Sequence, residues 1–198
     1  MRSTSRPSPF LTGRVDNRIL ATKGLGDTMS VAEALHRMDR DVALETVSIR
    51  TEDDVYVALA LARRAMRGLP FTDMDAQQVL VSVSELTRNV LAHAVGGAGS
   101  FKCGLVPRGI YIRVTDHGPG ILNLDDVLEG RNRLPTSGLG LGLAGVIRLM
   151  DDVDIRTSAG GTTIRAVKWT RQGRVGSGRG ADAQPAGGDW QDIGWHRP

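Results

Sequence analysis

Glu85 and Asn89 stand four residues apart in the run Glu85-Leu86-Thr87-Arg88-Asn89. On a helix that spacing projects both side chains from one face, with Leu86 and Val90 turned toward the core beside them. A carboxylate and an amide oxygen then converge on one point. Further along, Asp116-His117-Gly118-Pro119-Gly120-Ile121 follows a strand-like run. A carboxylate at a strand end can accept the amino hydrogens of adenine, and glycines at 118 and 120 let backbone pass close to a flat ligand where a β-carbon would collide. The third segment, Gly138-Leu139-Gly140-Leu141-Gly142-Leu143, opens a helix. Amide hydrogens exposed at a helix start suit phosphate oxygens through hydrogen bonds and the helix dipole. The segment lacks the Lys-Ser/Thr ending of a P-loop, which sets that motif aside.

Each feature alone has a plainer explanation, and the order of the three outweighs those explanations. Glu85 and Asn89 alone would be the polar face of an amphipathic helix, and the Asp116 segment alone a tight turn. The glycine run alone would permit close helix packing, and Gly161-Thr162-Thr163 alone would be a hairpin turn with threonines suited to strands. Arg88 is read as a solvated helical arginine, with contact to phosphate or a partner as the alternative. His93, Asp116 and His117 suggest a hydrolytic triad, yet no glycine-framed nucleophilic serine accompanies them. Four scattered histidines and one cysteine give no spacing for a zinc site.

The elements that must position these residues follow from periodicity and caps. Val47 and Ile49 alternate with Ser48 and Arg50 as a first strand. Thr51 followed by Glu52, Asp53 and Asp54 starts a helix that carries Val55, Leu59, Ala62 and Met66 inward until Gly68 and Pro70 stop it. A second helix opens near Thr72 or Asp73, buries Val79, Val83, Leu86 and Val90, and ends at Gly96-Gly97. Phe101 to Val106 and Ile110 to Thr115 form a hairpin about Pro107-Arg108-Gly109. A helix from Leu141 to Met150 and a hairpin of Val153 to Ile155 with Thr162 to Trp169 complete the pattern. Helices on one face of a mixed, mostly antiparallel sheet make an α+β two-layer sandwich.

The expected division is an N-terminal extension over 1–45, a domain over 46–170 and a disordered tail over 171–198. The tail is rich in Gly, Ala and Arg without apolar periodicity, so it buries too little surface to offset chain entropy. Residues 1–27 read similarly, whereas Val31, Ala34, Leu35, Met38 and Val42 have the spacing of a short docking helix. The net charge of +3 sits in the ends: residues 1–28 hold five Lys/Arg against two Asp/Glu, residues 171–198 four against three, and the middle sixteen against seventeen. A near-neutral domain has no footprint for a phosphodiester backbone, so no nucleic-acid partner is expected. No secretory signal and no membrane-length apolar run are read, and the one cysteine forms no internal disulfide. A soluble cytoplasmic protein is the expectation.

The three segments resemble the N, G1 and G2 boxes of the GHKL ATPase superfamily, with its Bergerat ATP-binding fold, and Gly161-Thr162-Thr163 resembles its terminal Gly-Thr element. The likeness is closer still to RsbT-type serine kinases, relatives of the RsbW and SpoIIAB anti-sigma-factor kinases. It is carried by SELTRNVLAHAVGG, DHGPGI, GLGLGLAGVIRLMDDVDI and GTTIRAVKW.

The resemblance implies ATP with Mg²⁺ as cofactors and assigns residues to them. Asn89 holds the metal bridging the phosphates, and Asp116, with Gly118 and Gly120, fixes adenine, helped by the hydroxyl of Thr162 or Thr163. Thr136, Ser137, Gly138, Leu139, Gly140, Leu141 and Gly142 surround the phosphates, and a lid arginine, Arg131 or Arg133, faces either phosphate or solvent. Glu85 is the general base that takes the proton from a substrate serine. The implied function is protein-serine kinase acting on a STAS-domain antagonist, a partner-switching regulator of a stress or sigma-factor pathway, with a PP2C-type phosphatase or a sigma factor as further partner. The alternative is an anti-sigma factor that sequesters a sigma factor in a nucleotide-dependent way. Intact Glu85 and Asn89 argue against a degenerate ATP binder, and no phosphoacceptor helix hairpin is read ahead of the domain, which argues against a full histidine kinase. A homodimer is left open.

Overall fold

Two helices owe their starts to side chains that close the first turn. Asp54 reaches back to accept hydrogen bonds from the Thr51 amide at 2.9 Å and the Thr51 hydroxyl at 3.0 Å, opening α2 (Glu52–Met66). Thr72 accepts the Asp75 amide at 3.1 Å and opens α3 (Asp73–His93), the longest helix. Both caps fall where the sequence places them. The computed structural model describes residues 13–14, 18–22, 31–94, 96, 98–122, 124–128 and 142–171.

The remaining elements, in chain order, are β1 (Gly13–Arg14), β2 (Arg18–Thr22), α1 (Val31–Asp41), β3 (Glu45–Ile49), β4 (Gly99–Val106), β5 (Gly109–Asp116), α4 (Leu124–Leu128), α5 (Gly142–Leu149), β6 (Asp152–Ser158) and β7 (Gly161–Trp169). They form one sheet in the order β1-β2-β6-β7-β5-β4-β3. Where a mixed, mostly antiparallel sheet was expected, every described pairing is antiparallel. The pair α2 and α3 returns the chain so that β3 and β4 run opposite ways, and β7 enters between the co-directional strands β5 and β6.

Strand alternation divides the sheet into an inner and an outer face. Phe101, Ile110, Ile112, Ile155 and Ile164 join Val79, Val83 and Leu86 of α3 and Leu143, Val146 and Ile147 of α5 in the main core. Aliphatic side chains fill most of it, in keeping with the low aromatic content of 4%. From β3 onward this is the expected two-layer sandwich.

The outer face adds something to that expectation. Leu35 of α1 packs with Val106, Tyr111, Val167 and Trp169, so α1 lies against the side away from α2, α3 and α5. Asp39 anchors it: Tyr111 donates its hydroxyl to Asp39 Oδ1, Arg113 pairs with the same oxygen at 2.9 Å and Arg165 donates to Oδ2 at 2.8 Å. Helices therefore occupy both faces rather than one. The expectation that residues 1–27 lack structure is likewise corrected at 13–14 and 18–22, where β2 extends the sheet along β6 from Arg18 opposite Arg156 to Thr22 opposite Asp152. Backbone pairing supplies that strand, which is why side-chain alternation did not announce it. The tail expected to be disordered lies outside the described residues, Arg171 excepted. None of the described helices is long and apolar enough to cross a membrane.

Candidate active site

Helix α3 presents Glu85 toward the first turn of α5. Glu85 is only 2% exposed, and Gly142 donates its amide hydrogen to Glu85 Oε2 at 3.2 Å. A carboxylate thus occupies the positive end of the helix whose preceding glycine run was read as a phosphate site. Asn89, one turn further along α3, is partly exposed. Arg88 donates to the Ser84 hydroxyl at 2.6 Å and approaches Glu52 of α2 at 3.6 Å. It ties the two helices together, in place of the solvated arginine expected.

Asp116 ends β5 with its carboxylate held in place. Gly118 donates to Oδ1 at 2.8 Å, and the amide of Thr162 in β7 approaches the same oxygen at 3.3 Å. Both bonds fall on Oδ1, so Oδ2 is the oxygen that can accept from a ligand. The glycines at 118 and 120 also make room within the protein. A β-carbon on Gly118 would lie 2.7 Å from His93 O, and one on Gly120, whose φ is +75°, would lie 2.0 Å from Ser158 O. They let the loop after β5 wedge between the end of α3 and the β6–β7 turn.

The two threonines of the hairpin, Thr162 and Thr163, lie on opposite faces of the sheet. Thr162 stands on the inner face beside Asp116, whereas Thr163 turns to the outer face and donates to the Thr115 hydroxyl at 3.4 Å. A hollow of about 270 Å³ lies at this end of the sheet, lined by Thr115, Asp116, Arg156, Thr157 and Thr163 together with the β6–β7 turn.

Residues 49–168 match the family described as Histidine kinase-like ATPase domain. The chain belongs to this family. Against the Serine/threonine-protein kinase RsbT of Bacillus subtilis (strain 168) it is 39% identical over 131 residues, which take up 63% of this chain and 96% of the relative. Among solved structures, the RsbU and RsbW domains of a Mycobacterium tuberculosis protein superpose at a TM-score of 0.46 with 17% identity, covering 64% of this chain and 32% of that one. The mycobacterial sensor histidine kinase MprB does so at 0.38 with 20% identity, covering 64% and 97%.

In this ATPase domain, α3 and the start of α5 bring Glu85 to Gly142, with Asn89 one turn further along α3, while the loop after β5 and the β6–β7 hairpin bring Gly118 and Thr162 to Asp116 and set Gly120 against Ser158. Thr136, Ser137, Gly138, Leu139, Gly140 and Leu141, expected around the phosphates, lie outside the described residues, as does the lid at Arg131 to Pro135. Sequence reasoning missed Thr157. Its hydroxyl accepts the Ile121 amide at 2.7 Å and sits 3.1 Å from the Thr162 hydroxyl, directly across the hairpin. The turn at Ala159-Gly160 already implied that cross-strand pairing, and reading the register would have found it.

Proposed function

We propose that this chain is an ATP-dependent protein serine/threonine kinase that phosphorylates a STAS-domain antagonist and acts as a partner switch in a stress or sigma-factor pathway. The observation that carries this reading is Glu85 on the same helical face as Asn89, with its carboxylate at the first amide of α5. Asp116, fixed through Oδ1, offers Oδ2 to the amino group of adenine. With the base at the β5–β7 end, the triphosphate runs toward α5 and its reactive end comes to Glu85.

In the reaction the substrate serine hydroxyl gives its proton to the Glu85 carboxylate as its oxygen bonds to the γ-phosphorus. The bond from that phosphorus to the β,γ-bridging oxygen breaks, and ADP leaves with the electron pair. Amides at the start of α5 face the charge that develops on the phosphoryl oxygens. Among the described residues no group of three His, Cys, Asp or Glu side chains gathers to hold a metal. A magnesium ion held mainly by phosphates and water needs few protein oxygens, and the amide oxygen of Asn89 fits that need. When bound, it neutralises phosphate charge.

The test is transfer of labelled γ-phosphate from Mg-ATP to purified STAS-domain proteins, with Asn89→Ala alongside. Labelling of one partner, lost in the variant together with nucleotide affinity, is the expected result. Tight ATP binding without labelling of any partner would replace this reading with a nucleotide-dependent sequestering protein that holds a sigma factor or a PP2C-type phosphatase.

A further inference from the structure

A base that serves a serine on another protein has to be reachable by that protein, and Glu85 is only 2% exposed. General-base catalysis needs the carboxylate within about 2.6–3.2 Å of the oxygen whose proton it takes. A macromolecular substrate does not come that close to a buried group. Carboxylates are rarely buried unless paired, and here the start of α5 supplies a partner: Gly142 donates its amide hydrogen to Glu85 Oε2 at 3.2 Å.

The same amide opens a helix, where phosphate oxygens are bound well. A backbone amide carries one hydrogen, so a full bond to Glu85 and a full bond to a phosphate oxygen exclude each other. Both acceptors are anionic, so one charge-assisted bond replaces another and the exchange is close to neutral. The frame around this amide is fixed. Val83 and Leu86 seat α3 in the main core, and Leu143, Val146 and Ile147 seat α5 there. The exchange therefore falls to the Glu85 side chain, which a rotamer change carries along its own helix face. One turn further on that face stands Asn89, which is partly exposed.

Resting on the kinase reading above, we infer that Gly142 is a positioning residue: its amide keeps Glu85 beneath the start of α5, and a γ-phosphate oxygen of ATP that takes this amide sends the carboxylate toward Asn89, where a protein serine reaches it. ADP has no γ-phosphate and leaves Glu85 in place. The base thus becomes available to the substrate serine after ATP has bound, and returns to cover once the phosphoryl group has gone.

The experiment is carbodiimide-driven coupling of an amine tag to the carboxylates of the full chain, read by peptide mass spectrometry. It is run alone, with Mg-ADP and with Mg²⁺ and the β,γ-imido analogue of ATP, and calorimetry on the same samples measures nucleotide binding. Glu52 and Asp53, exposed on α2, serve as the internal reference. Glu85 is expected to label slowly alone and with ADP, and at least about fivefold faster with the analogue, the lower end of usual coupling between sites. In Glu85→Asp the side chain is one methylene shorter and loses its hold on Gly142, so labelling at that position should be the same with ADP and with the analogue. A Glu85→Asp variant that responds as wild type does would overturn the inference. Rapid labelling of Glu85 without nucleotide, or labelling unchanged or slowed by an analogue that binds, would overturn it and leave the ATP site standing. Protein that binds neither nucleotide would overturn both.

Discussion

Cys103 lies in the main core on β4, where burial, and after it the negative charge of Glu45, pushes its thiol up to about 12. The thiolate is the reactive form, so native protein at pH 8 should resist maleimide while denatured protein reacts within minutes. Labelling at equal rates in both states would contradict that burial. His36 on α1 is moved the other way: burial first, then the positive charges of Arg165 and Arg156, lower its pKa against the opposing pull of Asp154 and Asp39. The unfolded chain keeps the ordinary value of 6.5, so as pH falls from about 7 it takes up a proton that the folded chain refuses. Stability therefore declines on acidification through that window. Denaturant midpoints between pH 7.5 and 5.5 should fall less steeply in His36→Gln, and an identical slope would remove His36 from the account. Glu85, Asn89 and Asp116 were legible in the sequence because their spacing and flanking glycines are local. The Glu85 contact with Gly142 was not, since it joins residues 57 positions apart.

At the scale of elements, α2 and α3 could be read in advance because caps and apolar stripes are properties of consecutive residues. The docking face of α1 could not, because Asp39 finds Tyr111, Arg113 and Arg165 only after the sheet has formed. The strand β2 lacks alternation in Arg18-Ile19-Leu20-Ala21-Thr22 and is recruited by the free edge of β6. The helices that carry the site are fastened from below. Lys168 of β7, 3% exposed, donates to Gln78 Oε1 at 2.6 Å and to Leu149 O at 2.7 Å, with Asp151 at 3.5 Å and Asp75 at 3.8 Å. One ammonium thereby ties the first turns of α3 to the end of α5. Removing one partner of a buried ion pair costs about 3–5 kcal/mol, so Lys168→Met should lower stability by that order in urea unfolding. A midpoint equal to wild type would show that the cluster contributes nothing net.

For the whole molecule, the inner face of the sheet carries the candidate chemistry and the outer face carries α1. The family match covers residues 49–168 and leaves α1 outside, so a Histidine kinase-like ATPase domain here has its outer face covered by its own N-terminal segment. We propose that on the inner face Glu85 acts as the base in phosphoryl transfer and is not needed to bind ATP. The most direct measurement is single-turnover transfer of γ-phosphate to the labelled partner in wild type and Glu85→Gln, with ATP affinity measured on the same samples. Transfer is expected to fall by about 10²–10⁴ with affinity held within a few-fold. Transfer by Glu85→Gln at the wild-type rate would contradict it.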